Sequence, residues 1–257
     1  MIINKLIEKV IMYDIEKFVS YLYKNVLKVV NPVKKRIIKT ECNVHQFINK
    51  QSIIILKNDG YLNASNFIAS YINEINSGVI WADQDLKSSS HFYNPETKNG
   101  LYGNSDAKKE CITYYTKAIN EYSNGNIKNA MFYFGAACHL IQDLTVPQHA
   151  NVKLLNNHRS YENWVIKVYR YHNEFKIYSG GIYLNSLKYY IDFNSKKAID
   201  TYKKYLKVKN QHMRFYKITS IVLTMAQRTT AGFMYKFFYD LQKLSPIIMA
   251  KQEKPSE

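Results

Sequence analysis

IKNAMFYFGAACHLIQDLTVPQHA, residues 127–150, decides how the rest of the chain is read. Its first part, IKNAMFYFGAACHLIQD (127–143), is apolar and free of proline, which predicts a helix ending before Pro147. His139 and Asp143 stand one turn apart on that helix and share a face. Gly135 and Phe132 lie further back on that face, and a glycine one turn before His139 is read as leaving room for a buried ion. Pro147 then interrupts the chain ahead of His149. A single HxxxD pair is more often an ordinary side-chain pair, so its meaning rests on what else the chain supplies.

HRSYE (158–162) repeats the spacing, with His158 and Glu162 also four apart. Two helices thus each present an imidazole and a carboxylate on one face. These are standard zinc ligands, and an i, i+4 pair holds two of them on one rigid element. Metal sites in helical bundles are commonly built this way. Of seven histidines, His45, His91, His139, His149 and His158 have a place in such a constellation. His172 and His212 lack an evident partner and are left outside it.

Elsewhere the chain reads as further helices. Ile3, Leu6, Val10 and Tyr13 recur at helical spacing, which predicts an amphipathic N-terminal helix ending near Asn31-Pro32. It packs on the domain, lies on a membrane surface or is a propeptide. VHQFINKQSIIILKNDG (44–60) predicts a helix with Phe47, Ile48, Ile54 and Ile55 near one face and a glycine stop. A second helix is expected over Ala64–Asn76, and the polar, turn-rich segment 78–103 reads as a functional loop. Ser105-Asp106 can cap a helix to about Tyr122, and NGN at 124–126 turns the chain into 127–143. Another helix starts near His158, and a long one over Arg214–Leu241 closes the fold. The expectation is one all-α domain over residues 37–245, an extension over 1–36 and a tail over 246–257.

Composition agrees with a helical domain. Within 257 residues there are 23 Tyr but only nine Gly and five Pro. No apolar run is long enough to span a bilayer. The net charge of +16 favours anionic surfaces, phospholipid or nucleic acid, or else simply aids solubility. Cys42, Cys111 and Cys138 form no CxxC pair and no disulfide framework, and Cys138 reads as a core residue. Charges at Glu8, Lys9, Asp14, Glu16 and Lys17 break up the N-terminal stretch, so it does not read as a secretory signal.

FYFGAACHLIQDLTVPQHANV (132–152) closely resembles the signature of the bacterial zinc-dependent phospholipase C family, which includes the catalytic domain of clostridial alpha-toxin. HFYNPET (91–97), HRSYENWV (158–165), AQRTTAGF (226–233) and VHQFINKQSIIILKND (44–59) are similar to other family motifs, in the family's order. Together they cover roughly residues 40 to 242. The resemblance implies an all-α domain with a cluster of three zinc ions between its helices. It implies Asp83, His91, His139 and Asp143 as ligands of one ion, and His149, His158 and Glu162 as ligands of a second. His45 and a bridging Asp143 would hold part of the third, whose other ligands in the family come from an N-terminal Trp. Here the only tryptophans are Trp81 and Trp164. Either processing frees an amino terminus near residues 32–36, or Glu41, one turn before His45, fills in. Asp85 is a second candidate for the role of Asp83.

The implied reaction is phospholipid hydrolysis to diacylglycerol and a phosphorylated head group, with water activated by the clustered zinc. Asp83 and Asp143 are its expected catalytic carboxylates, Asp83 doubling as a general base. Zinc and a phospholipid bilayer are the expected partners of a monomer, with no nucleic acid. Secretion follows from the resemblance, an intracellular role from the N-terminus as it stands. The choline-binding positions of the family fall at Gln84 and Ser88, which predicts a weakened choline preference. Two other readings remain: a zinc-dependent single-strand nuclease, because fungal zinc nucleases share this fold and ligand set, and a non-catalytic zinc protein that binds lipid surfaces.

Overall fold

The apolar stretch at 127–143 does form a helix, and every residue from Phe134 to Asp143 in it is buried. A helix buried all round has to be enclosed by others, and the remaining elements supply that enclosure. The structure is a computed structural model that describes residues 42–84, 90–100, 106–152 and 158–252, with side chains described as far as residue 244. The predicted N-terminal helix, Glu41, Asp85, Ser88 and Ser105 lie outside the described residues.

In chain order the helices are α1 (Asn43–Asn58), α2 (Leu62–Ser70), α3 (Ile72–Ala82), α4 (Ala107–Ser123), α5 (Ile127–Asp143), α6 (Pro147–Ala150), α7 (His158–Val168), α8 (Leu187–Tyr205) and α9 (Gln211–Gln252). A 3-10 turn, Asn173–Phe175, lies between α7 and α8. Among the described residues there is one isolated bridge, Asn94 to Asn99, and no strand, so the fold is all-α as expected. None of the described helices is long and apolar enough to cross a membrane.

The local signals act as read in several places. Gly60, at a φ of 91°, follows α1, and Gly125, at 81°, turns the chain into α5. The Asp106 carboxylate caps α4 by accepting the Lys109 N–H at 2.9 Å. Phe134 of α5 stacks on Phe237 of α9 with centroids 3.9 Å apart, at the centre of a core that also takes Ile55, Ile75 and Tyr190. A second cluster, with Ile48, Tyr161, Val165, Phe215 and Val222, joins α1, α7 and α9.

Four expectations change. The helix expected over Ala64–Asn76 is two helices that meet at Tyr71. The loop expected from Gly78 begins only at Asp83, because Gly78, Val79 and Ala82 are buried in α3. Gly78 is a packing residue: a Cβ there would run into the carbonyl of Phe132 on α5. Gly135 makes the reciprocal contact, its missing Cβ lying against the carbonyl of Ile75. It therefore lets two helix backbones touch and leaves no room for an ion. Finally, α8 was not anticipated, and α9 runs from Gln211 to Gln252, beyond both bounds expected for it.

Candidate metal centre

The close approach of α3 and α5 brings the end of α3 beside the last turns of α5. There the Asp143 carboxylate is buried at 5% exposure, which requires positive charge or hydrogen-bond donors around it. It meets three imidazoles within hydrogen-bonding range and a fourth just beyond. Oδ2 lies 2.8 Å from His91 Nδ1, 3.1 Å from His139 Nε2 and 3.8 Å from His149 Nδ1. Oδ1 lies 3.4 Å from His45 Nε2. Asp83, which ends α3, places Oδ1 4.0 Å from His139 Nε2. On α7, Glu162 Oε1 is 2.8 Å from His158 Nε2 and 3.4 Å from His149 Nε2. All eight residues expected to ligate zinc are thus described and brought together, while His172 pairs with Glu174 and His212 with Trp164 elsewhere.

The far nitrogens of three of these rings are held by the chain. His91 Nε2 faces the Ala82 carbonyl at 3.1 Å, His149 Nδ1 the His91 carbonyl at 3.2 Å, and His45 Nδ1 the Gln142 Oε1 at 2.8 Å. A carbonyl accepts only, so each of these nitrogens carries a proton, and whenever the ring is neutral the opposite one presents a lone pair. Gln142 is itself fixed, donating to Asn49 Oδ1 at 2.8 Å and to Thr230 Oγ1 at 3.3 Å. Phe92 stacks on the His149 ring at 4.7 Å. Sequence reasoning missed Gln142, Asn49 and Phe92. Only their positions, with Gln142 next to Asp143, Asn49 one turn after His45 and Phe92 next to His91, could have flagged them.

Charge follows this geometry. Burial works against ionised Asp143, but His139 and His149 outweigh it and hold the carboxyl well below its usual range. Burial opposes a charged His149 too, yet Asp143 and Glu162 lift it to about 9. Burial raises Glu162, and the hydrogen bonds from His149 and His158 bring it down to about 2. His45 and His91 are pushed down, chiefly by burial.

These shifts predict the pH profile of the metal-free protein. His149 rises from 6.5 to about 9, so its contribution is complete below pH 6.5 and fades as the pH rises through about 9. Glu162 falls from 4.5 to about 2, so its contribution is complete above pH 4.5 and fades as the pH drops through about 2. The stability difference between the native chain and Glu162→Gln should be widest between those two ordinary values and narrow on both sides. Thermal melts after chelation measure it, and a difference that stays constant from pH 5 to 10 would show the pairing to be wrong.

Three groups of side chains have ligand atoms within 4.8 Å of one another: His45, His139 and Asp143; Asp83, His91 and His139; His149, His158 and Glu162. Zinc bonds of about 2.0 Å in a tetrahedron separate neighbouring nitrogens by about 3.3 Å. His91 Nδ1 and His139 Nε2 are 3.3 Å apart, and His149 Nε2 and His158 Nε2 are 2.9 Å apart. Lone pairs facing one another at these distances repel unless a proton or a cation stands between them, so the donor set fits zinc. A cavity of about 430 Å³ opens beside the cluster, lined by Asp83, Asp143 and Glu162 together with Ile48, Val165 and Val222.

The model of the zinc dependent phospholipase C family matches residues 44–218. A phospholipase C of Clostridium novyi is 27% identical over 241 residues, covering 80% of this chain and 61% of that protein. One of Listeria monocytogenes is 30% identical over 141 residues, covering 49% of each. The chain therefore spans about half to three fifths of the length of these relatives. Among solved structures, the alpha toxin of Clostridium absonum superimposes with a TM-score of 0.68 at 22% identity, over 77% of this chain and 63% of that one.

Proposed function

The chain belongs to the zinc-dependent phospholipase C family, and on that premise we propose that it hydrolyses phospholipids to diacylglycerol and a phosphorylated head group. The observation that carries this reading is a cluster of five imidazoles and three carboxylates, four of the imidazoles gathered around the buried Asp143, beside a largely apolar cavity. His45, Asp83, His91, His139, Asp143, His149, His158 and Glu162 are its proposed ligands, in three groups of which two have His139 in common, and Asp143, which faces both His45 and His91, would be the carboxylate shared between ions. Zinc held there supplies charge to neutralise a phosphodiester and lowers the pKa of water toward neutrality.

The chain's own residues do the rest. The Ala82, His91 and Gln142 oxygens fix which imidazole nitrogens of His91, His149 and His45 face the cluster. Asp83 keeps 33% of its side chain accessible and lines the cavity, so its carboxylate can take a proton from an attacking water. Ile48, Val165 and Val222 offer an apolar wall to the acyl-glycerol part of a lipid and exclude water from it. The +16 net charge favours approach to an anionic bilayer. Action outside the cell, as a monomer, completes the proposal.

The test is release of phosphorylated head group from vesicles of choline, ethanolamine, serine or inositol lipids. Turnover should vanish with a zinc chelator, return with added zinc, and show no strong choline preference. A zinc-loaded protein inert toward every lipid would refute the activity. A dominant choline preference would refute only the reading of Gln84 and Ser88.

A further inference from the structure

The cavity beside the metal centre carries a hydroxyl pair that has no part in the ligand set. Thr219 of α9 donates to the Tyr161 hydroxyl of α7 at 3.1 Å, and both residues line the cavity together with Ile48, Val165, Val222 and Leu223. Both are buried, Thr219 at 0% and Tyr161 at 2% exposure. Two other threonines of α9 behave differently: Thr224 and Thr229 donate back to the carbonyls of Ser220 and Met225, one turn earlier. Thr219 makes no such bond among the described residues and turns to Tyr161 instead. Two hydroxyls that share one hydrogen bond keep one proton to offer, and among the described residues nothing accepts it. A buried donor left unpaired is costly, and this one borders a cavity where a ligand can accept it. We infer that the Tyr161–Thr219 pair determines specificity, donating a hydrogen bond to an ester carbonyl of the lipid so that ester-linked phospholipids are preferred to ether-linked ones.

This role rests on the phospholipase reading above. With the phosphate held among the carboxylates and imidazoles, the glycerol backbone and its acyl esters are the next groups along the lipid. The wall that they meet is apolar, formed by Ile48, Val165, Val222 and Leu223. Hydrocarbon chains need nothing more from such a wall, but an ester carbonyl taken out of water needs a donor. The spare proton of the Tyr161–Thr219 pair supplies one. Burial pushes the Tyr161 phenol up, so it stays protonated. An ether-linked lipid has nearly the same shape and the same chains but lacks the carbonyl, and it leaves the pair without an acceptor. A site built to hydrogen-bond a substrate group rejects the analogue that lacks the group more strongly than an apolar pocket rejects a change of size.

Zinc-loaded full-length protein is given the 1,2-diacyl and the 1,2-dialkyl ether forms of one phosphatidylcholine in the same detergent micelles, and head-group release is followed. The native chain should favour the diacyl form about tenfold in kcat/KM. Tyr161→Phe, which keeps the ring edge against Phe215, should lower that ratio at least about fivefold. Should Tyr161→Phe fail to fold, Thr219→Val deletes the other hydroxyl and is held to the same ratio. A second readout involves no turnover: metal-free protein should bind 1,2-dihexanoylglycerol at least about fivefold more tightly than the corresponding dihexyl ether. Equal hydrolysis of the two lipids by the native chain, equal binding of the two glycerols, or a variant that loses activity on both lipids alike and keeps the native ratio would overturn the role of the pair and leave the phospholipase reading standing. No release from either lipid by the zinc-loaded native chain would overturn that reading, and this role with it.

Discussion

Asp143→Asn is expected to lower phospholipid hydrolysis by about a thousandfold or more, roughly 4 kcal/mol of barrier, and to remove two of the proposed ions. The reason is that Asp143 uses both oxygens. Oδ1 faces His45, while Oδ2 faces His91 and His139. An amide of the same shape keeps one acceptor, turns the other into an N–H donor and gives up the negative charge. The cations that His45 and His91 would share with it then lose their common anion. Glu162→Gln should do less, since Glu162 serves only the His149 and His158 group. Elemental analysis beside a turnover assay, with circular dichroism to confirm folding, reads the outcome. An Asp143→Asn protein that keeps its zinc and its activity would leave the ligand assignment without support.

How far the sequence reached depended on distance along the chain. His139 with Asp143, and His158 with Glu162, were legible because an i, i+4 pair needs only a helix to bring it together. Asp83, His91 and His45 come from other elements, and it took the family motifs to assign them. What escaped notice depends on long-range packing. Gln142 looked like one more polar residue on an apolar helix, yet it is buried and binds across three helices, to His45, Asn49 and Thr230. The helix α8 went unread because Asn194 and Ser195 sit at core positions and blur its apolar face. Asn194 donates there through Nδ2 to the Ile141 carbonyl of α5 at 2.8 Å, a partner that local sequence cannot name. Gly78 misled for the same reason: a turn signal and a backbone-contact residue look alike until the neighbouring helix is in view.

That helix contact carries the second large effect. Gly135→Ala is expected to destabilise the protein by about 3 kcal/mol or more, lowering its melting temperature by roughly 6 to 12 °C. The added Cβ would meet the backbone of Ile75, with the carbonyl carbon at 2.7 Å and Cα at 2.8 Å. Backbone cannot swing aside as a side-chain tip can, so α3 and α5 have to separate. Ser77→Ala changes an exposed position on α3, the partner helix, and should stay within about 2 °C of the native chain. The damage should also reach the metal centre, because α3 ends in the Ala82 carbonyl that orients His91 and in Asp83 itself. A displaced α3 carries both away from His139, so zinc should bind Gly135→Ala more weakly and raise its melting temperature less than that of the native chain. If Gly135→Ala melts with the native protein, the tight α3–α5 contact is wrong, and with it the placement of Asp83 beside His139.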